Sequence, residues 1–174
     1  MKIPVRSFAA VRRRLAERGA RRLHPEALED NQVLDDATGT LAAAGCLRRF
    51  AGRVMLTFKG AASFAAGVKS RPEMETGVED PDATLAILAG LGFAPVRRYQ
   101  KRRETWTLDE VTIALDETPL GAFVELEGQA TRLAPVAGVL GLDPGSAARG
   151  TYLDLWATFR AEHPEAPEDM VFPA

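Results

Sequence analysis

In a chain of 174 residues, 46% of them hydrophobic, there is enough apolar side chain to bury a sizeable core, and residues 1–174 are expected to form a single domain. Lys and Arg number 22 against 24 Asp and Glu, so a formal net charge of -2 excludes an overall field that recruits nucleic acid or membrane. One cysteine, Cys46, excludes an intrachain disulfide framework; with no signal-peptide pattern and no membrane-length apolar run, a cytoplasmic protein is expected.

Lys-Ile-Pro-Val, within Met1 to Val5, reads as a short strand. Ser7 can cap a helix in which Phe8, Val11 and Leu15 recur at helical spacing, ending near Gly19. Its arginines, Arg12 to Arg14, Arg18, Arg21 and Arg22, read as a solvated face, because no aromatic residues interleave as they do in nucleic-acid sites. His24 reads as a loop residue, and Glu29 to Asp36 as a short strand closed by Asp35-Asp36-Ala-Thr-Gly39. Leu41 to Phe50, the turn Ala51-Gly52 and Val54 to Lys59 form a hairpin, with Cys46 read as a small buried residue. Ala61 to Ser70 is small enough in its side chains to be a loop, with Lys69 and Arg71 at its root. Asp80-Pro81-Asp82 starts a helix through Leu85 and Leu88 that stops at Gly90 to Gly92. Leu133, Val136, Ala137 and Leu140 describe another helix, and Ser146 onward a last one, with Tyr152, Leu155, Trp156 and Phe159 as packing residues.

The stretch from Arg98 to Gly128 organises the chain. Val111, Ile113 and Leu115 alternate with Thr112, Ala114 and Asp116, Thr-Pro-Leu-Gly reverses direction, and Glu125 and Glu127 then share one face while Val124 and Leu126 share the other. Neighbouring segments repeat this with opposite charge. Val54, Leu56 and Phe58 oppose Arg53, Thr57 and Lys59; Lys101, Arg103 and Thr105 fall together; Arg71, Glu73 and Glu75 oppose Met74, Thr76 and Val78. Several strands with one charged face each are accommodated by an α+β fold: an antiparallel β-barrel with its charges in a wet interior and helices outside. Lysines and arginines there would neutralise phosphate oxygens, and carboxylates among them imply a hard divalent cation such as Mg²⁺ or Mn²⁺. On strands, alternating Glu and Lys are more often merely solvated surface.

At these residues the sequence becomes familiar. Leu-Thr-Phe-Lys59-Gly60, Lys69-Ser-Arg71-Pro-Glu73-Met-Glu75-Thr, Gly92-Phe93, Lys101-Arg-Arg103 and Leu115-Asp116-Glu-Thr-Pro-Leu-Gly121-Ala-Phe-Val-Glu125-Leu-Glu127-Gly resemble, in matching order, the CYTH domain of the triphosphate tunnel metalloenzymes. That family includes class IV adenylate cyclases, thiamine triphosphatases and inorganic triphosphatases. The resemblance implies an eight-stranded antiparallel barrel, Mg²⁺ or Mn²⁺ dependence, and a small triphosphate as partner (tripolyphosphate, thiamine triphosphate or ATP). No nucleic acid or membrane is implied, and a homodimer is compatible with it. By the same resemblance Lys2 and Lys59 would be the catalytic lysines, and Lys2, Arg48, Arg49, Lys59, Lys69, Arg71, Lys101 and Arg103 would bind phosphates. Asp116, Glu125 and Glu127, with Glu73 and Glu75, would hold the metal.

The sequence departs from the family pattern in two places. In the N-terminal Glu-x-Glu-x-Lys strand only the lysine has a counterpart, Lys2, so either the chain start lies further upstream or part of the metal site is lost. Gly45-Cys46-Leu47-Arg48-Arg49 is also shorter than the usual Leu-Arg-Leu-Arg strand, and a deletion there would shift register. The function expected first is metal-dependent hydrolysis of inorganic or small organic triphosphates. Alternatives are a class IV adenylate cyclase, which makes cyclic AMP and pyrophosphate from ATP, and an inactive module that binds nucleotide or polyphosphate.

Overall fold

The computed structural model describes residues 1–38, 44–60, 63–65, 68–70 and 72–173. Eight antiparallel strands lie in one sheet of order β1-β10-β9-β8-β2-β3-β4-β7, with β1 (Lys2–Val5) and β7 (Glu73–Gly77) at its ends. Between them run β10 (Gly121–Glu127), β9 (Val111–Thr118), β8 (Ala94–Leu108), β2 (Arg21–Asp35), β3 (Ala44–Phe50) and β4 (Arg53–Lys59). Four helices flank the strands: α1 (Ala9–Glu17), α2 (Pro81–Gly90), α3 (Ala130–Val139) and α4 (Tyr152–Glu162). No helix of the described residues is long and apolar enough to cross a membrane.

The chain divides into two compact units, one of Met1–Ala27 and Lys101–Ala174, the other of Leu28–Gln100. In the first, the β9–β10 hairpin has the expected alternation and register. Val124 opposes Leu115 and Leu126 opposes Ile113, and all four are buried. α3 packs on β9 and β10 and brings in Leu133, Val136 and Ala137. Ile3 of β1 joins through its pairing with Val124. The other face of the hairpin, carrying Ala114, Asp116 and Thr118, is also buried, so the sheet is covered on both sides here. Pro119 and Leu120 turn the hairpin, and Thr118 secures it by accepting from the Leu120 amide and donating to the Gly121 carbonyl. α1 buries Val11 and Leu15, and its Arg14 donates to the Leu140 carbonyl at 2.7 Å, which satisfies the C-terminal end of α3. The guanidinium fills the space a side chain at Gly141 would need, and φ at Gly141 is +65°.

In the second unit β3 pairs without interruption from Glu29–Phe50 to Leu34–Gly45 on one side and with β4 on the other. The short Gly45 to Arg49 segment is therefore regular strand, paired on both sides without a bulge. α2 starts as expected: the Asp80 carboxylate accepts from the Ala83 amide at 2.9 Å and Pro81 occupies the first turn.

Three sequence expectations are corrected. β2 begins at Arg21 rather than Glu29, so His24 lies in a strand. Strand β3 covers β2 only from Glu29 onward, which among the described residues leaves the earlier half one sheet partner, β8. An edge of that kind tolerates Pro25 and needs no apolar alternation, so its sequence does not read as strand. Within Ala61 to Ser70, β5 (Ser63–Ala65) and β6 (Val68–Ser70) form a small antiparallel ribbon with Phe64 opposite Lys69. Three residues per strand are too few for alternation to show. The last helix begins at Tyr152 rather than near Ser146; Pro144–Ser146 is a separate 3-10 turn, and Thr151 and Asp154 form a reciprocal capping box.

The β3–β4 turn has positive φ at both central residues, 50° at Ala51 and 75° at Gly52. Such a turn prefers Asn-Gly, because an L residue with Cβ is strained there. Ala51→Asn is expected to raise stability by about 1 kcal/mol, seen as a higher urea midpoint at unchanged slope.

Candidate functional site

In the first unit the hydrogen-bonded register decides which charges meet. Lys2 lies opposite Glu125, and Arg103 opposite Asp116. Lys101 precedes Arg103 by two residues and so faces the same way. Arg103 grips Asp116 with both ends of its guanidinium, Nε to Oδ1 and Nη2 to Oδ2 at 2.6 Å each, and Nη2 also reaches Glu125 Oε2 at 2.5 Å. The Lys101 ammonium stands 3.3 Å from Asp116 Oδ2 and 3.9 Å from Glu125. The Lys2 ammonium is 3.5 Å from Glu125 Oε1. Asp116 is 0% exposed, and Lys2 and Lys101 are buried beside it. Glu125 is half-buried and Glu127, on the same face of β10, is exposed.

α4 covers this cluster with a residue expected only to pack. The Tyr152 hydroxyl donates to Asp116 Oδ2 at 2.8 Å. Its ring lies under Lys2, with the ammonium 3.6 Å from the ring centroid, and Lys101 is 5.2 Å away. A buried tyrosine at a helix position where phenylalanine would pack equally well signals a hydroxyl in need of a partner, and this was the available clue.

The environment shifts Asp116, Lys2 and Tyr152 within the cluster. Burial alone would raise the Asp116 carboxyl, but the Lys101 and Arg103 cations and the Arg103 hydrogen bonds outweigh it and hold the carboxyl far below the usual range. Burial lowers the Lys2 ammonium, with Glu125 opposing. Burial first, then the charges of Glu125 and Asp116, push the Tyr152 hydroxyl up, so it remains a donor at neutral pH.

In the second unit Arg48 donates to Glu75 Oε1 at 2.9 Å, and the buried Thr57 hydroxyl reaches the same oxygen at 2.8 Å. Lys59 stands 3.3 Å from Glu73. Arg48, Lys59, Glu73 and Glu75 thus share one face of β3, β4 and β7, as the register requires. Arg49 does not join them. As the next residue along β3 it points the other way and donates to Gln32 at 2.9 Å. On the Arg48 face sequence reading missed buried Glu29 and Asn31, where the Asn31 amide donates to Glu29 at 3.1 Å. Lys69 pairs through its backbone in β6, and Arg71 lies outside the described residues.

The expected metal ligands differ in what they have left to offer. The carboxylate of Asp116 is taken by Lys101, Arg103 and Tyr152. Among the described residues no group of three or more His, Cys, Asp or Glu is placed to hold a metal ion. Glu125 also accepts from Arg103 and faces Lys2 and Lys101, but it is partly exposed, and with Glu127 it offers same-face oxygen donors. That set fits a hard cation such as Mg²⁺, which is commonly held by one or two carboxylates with phosphate oxygens and water completing its shell.

The fold and this face define an antiparallel β domain with a charged, half-buried sheet surface and flanking helices. The CYTH domain model matches residues 44–134, more than half of the sequence, and the chain belongs to the CYTH domain family. Among curated proteins no sequence match was found. Solved structures share the fold along nearly their whole length. A candidate adenylate cyclase from Vibrio parahaemolyticus is 18% identical with a TM-score of 0.77, over 90% of this chain and 95% of that one. A Pyrococcus horikoshii OT3 protein is 23% identical with a TM-score of 0.70, over 91% and 98%. A candidate adenylyl cyclase from Hippeastrum, with a dominant triphosphatase activity, is 17% identical with a TM-score of 0.64, over 93% and 94%.

Two substitutions test the energetics. Asp116→Asn leaves buried Lys101 and Arg103 short of their counter-charge and is expected to cost about 3 kcal/mol at neutral pH. Because the folded-state pKa is depressed, wild type has this advantage above the unfolded value near ~3.9 and loses it as pH falls toward the folded value. Denaturation of both proteins from neutral to acid pH should therefore show a converging gap. Lys2→Met keeps the apolar stem and removes a buried ammonium whose folded pKa is lowered. Because desolvation outweighs the attraction of Glu125, it is expected to stabilise by about 1 kcal/mol at neutral pH, and by less as pH rises through the lowered folded value toward ~10.4, where the wild-type lysine also loses its charge.

Proposed function

We propose that the protein hydrolyses the terminal phosphate of inorganic or small organic triphosphates with the help of Mg²⁺ or Mn²⁺. The observation that carries this is the convergence of Lys2, Lys101 and Arg103 on one half-buried sheet face beside Glu125 and Glu127. Three cations gathered on one face beside half-buried Glu125 suit an anion. Arg103 presents a planar fork that can grip two phosphate oxygens, while the lysines act as point charges. Partial burial strengthens these contacts relative to water.

In this reading Lys2, Lys101 and Arg103 bind and orient phosphates and offset charge that develops on the transferring group. Glu125 and Glu127 hold the divalent cation, which when bound supplies Lewis-acid stabilisation and an activated water. Asp116 keeps Lys101 and Arg103 aimed and does not ligate the metal. In the second unit Arg48 and Lys59 are assigned phosphate contacts, with Glu75 and Glu73 as the carboxylates that hold them ready. Triphosphatase is preferred over cyclase because the side chains of the first unit's cluster address phosphate oxygens and a cation, which hydrolysis of a terminal phosphate requires. The single cysteine, buried in β3, supports a protein of a reducing cytoplasm.

The test is product analysis with tripolyphosphate, thiamine triphosphate and ATP, each with Mg²⁺ or Mn²⁺, beside Glu127→Ala. Expected is free phosphate that requires the cation, with turnover reduced about 100-fold in Glu127→Ala. Cyclic AMP with pyrophosphate from ATP would replace this reading by a cyclase. Binding of tripolyphosphate with no product of either kind would leave an inactive binding module.

A further inference from the structure

We infer that Tyr152 is a positioning residue: its ring is the platform that holds the Lys2 ammonium in place, and its hydroxyl ties that platform to Asp116. The inference rests on the phosphate-binding reading above for its kinetic consequence, but not for the geometry. Lys2 is held loosely by its polar neighbours. Its distances to Glu125 and to the Gly150 carbonyl are both 3.5 Å, at the long edge of hydrogen bonding. The ring centroid at 3.6 Å is by contrast a close cation–π contact, and a desolvated ammonium gains most from such a partner.

The platform is itself rigidly mounted. Tyr152 is the first residue of α4, directly after the Thr151–Asp154 capping box that fixes where the helix begins. Phe123 meets the ring edge-on at 5.5 Å. One turn further on, Trp156 donates to the carbonyls of Pro167 and Glu168, which anchors the helix to the segment that follows it. The hydroxyl then ends on Asp116, the carboxylate that also aims Lys101 and Arg103. One side chain from outside the sheet thus touches, directly or through Asp116, every cation of the first unit's cluster. A tyrosine kept for packing alone would need neither contact.

Two substitutions separate the ring from the hydroxyl. Tyr152→Phe keeps the platform and removes the bond to Asp116; Tyr152→Leu removes both. The first readout is the NMR resonance of the Lys2 ε-methylene, assigned by its loss in Lys2→Arg. Ring current should displace it upfield in wild type and in Tyr152→Phe, and the displacement should vanish in Tyr152→Leu. The second is steady-state hydrolysis of tripolyphosphate with Mg²⁺. Here kcat should fall about 30-fold in Tyr152→Leu and about threefold in Tyr152→Phe, with KM moving less than kcat, because a displaced lysine loses alignment more than binding. An undisplaced Lys2 resonance in wild type overturns the inference, and it does so even if Tyr152→Leu fails to fold. So does a folded Tyr152→Leu protein with wild-type kcat, or a Tyr152→Phe protein that falls as far as Tyr152→Leu. If wild type shows the displaced resonance yet neither binds nor hydrolyses tripolyphosphate, the platform stands and the phosphate reading fails.

Discussion

The burial of Asp116 sets the terms for the first unit. A carboxylate with no exposed surface is tolerable only if its charge is met, and Lys101, Arg103 and Tyr152 meet it. None of the three could do so without the strand register. Arg103 lies directly opposite Asp116, Lys101 follows by the period of two, and α4 delivers Tyr152 from outside the sheet. A slip of one residue in β8 would turn Lys101 and Arg103 away from Asp116, and one in β9 would turn Asp116 away from them and bring its apolar row to the charged face. The charges therefore penalise a one-residue slip in either strand.

The two faces of this sheet divide the work. Val111, Ile113, Leu115, Val124 and Leu126 under α3 supply the apolar burial that drives folding. The opposite face contributes little net stability, since desolvating several charges roughly cancels their attraction. What it provides is a set of cations already stripped of water and aimed. Burial of charge is not by itself a mark of function, as Glu104 shows. It is buried on the β8 face away from the cluster, and it is met by Arg12 of α1 at 2.8 Å and, more distantly, by Arg22. Both arginines are substantially exposed, so this network joins α1 to the sheet at its margin. The face bearing Asp116 instead gathers cations that are themselves buried.

Much of this was legible in the sequence because strand periodicity is local information. Val111 to Glu127 announces its hairpin, its turn and its two faces, and the acid-capped start of α2 is equally plain. What was not legible depends on partners distant in the chain. The first half of β2 has no apolar alternation because, among the described residues, β3 pairs with it only from Glu29 onward. Arg48 and Arg49 look equivalent as a pair, yet a strand sends neighbours to opposite faces, and only Arg48 shares a face with Glu75 and Lys59. Tyr152 reads as one more aromatic on a helical stripe. That its ring lies against Lys2, on a strand 150 residues earlier, is a fact of tertiary packing.

The arrangement of Glu125 relative to Asp116 bears on how the cluster can work. Arg103 touches both carboxylates through the same nitrogen, but the two are not equivalent. Asp116 is sealed and accepts from three side chains, so removing it from its partners would strand charge in a dry interior. Glu125 is held as closely by Arg103, but it retains 17% of its side-chain surface, and Lys2 and Lys101 stand 3.5 and 3.9 Å from it. Of the two, Glu125 is the carboxylate whose ion pairs can be exchanged for others at modest cost, because water can reach it as they break. A fixed acid that aims the cations, next to an exchangeable acid that shares them, lets an anion compete for Arg103 and Lys2 without disturbing the core. That asymmetry follows from Tyr152 of α4, which closes over Asp116 while Glu125 keeps part of its surface open to water.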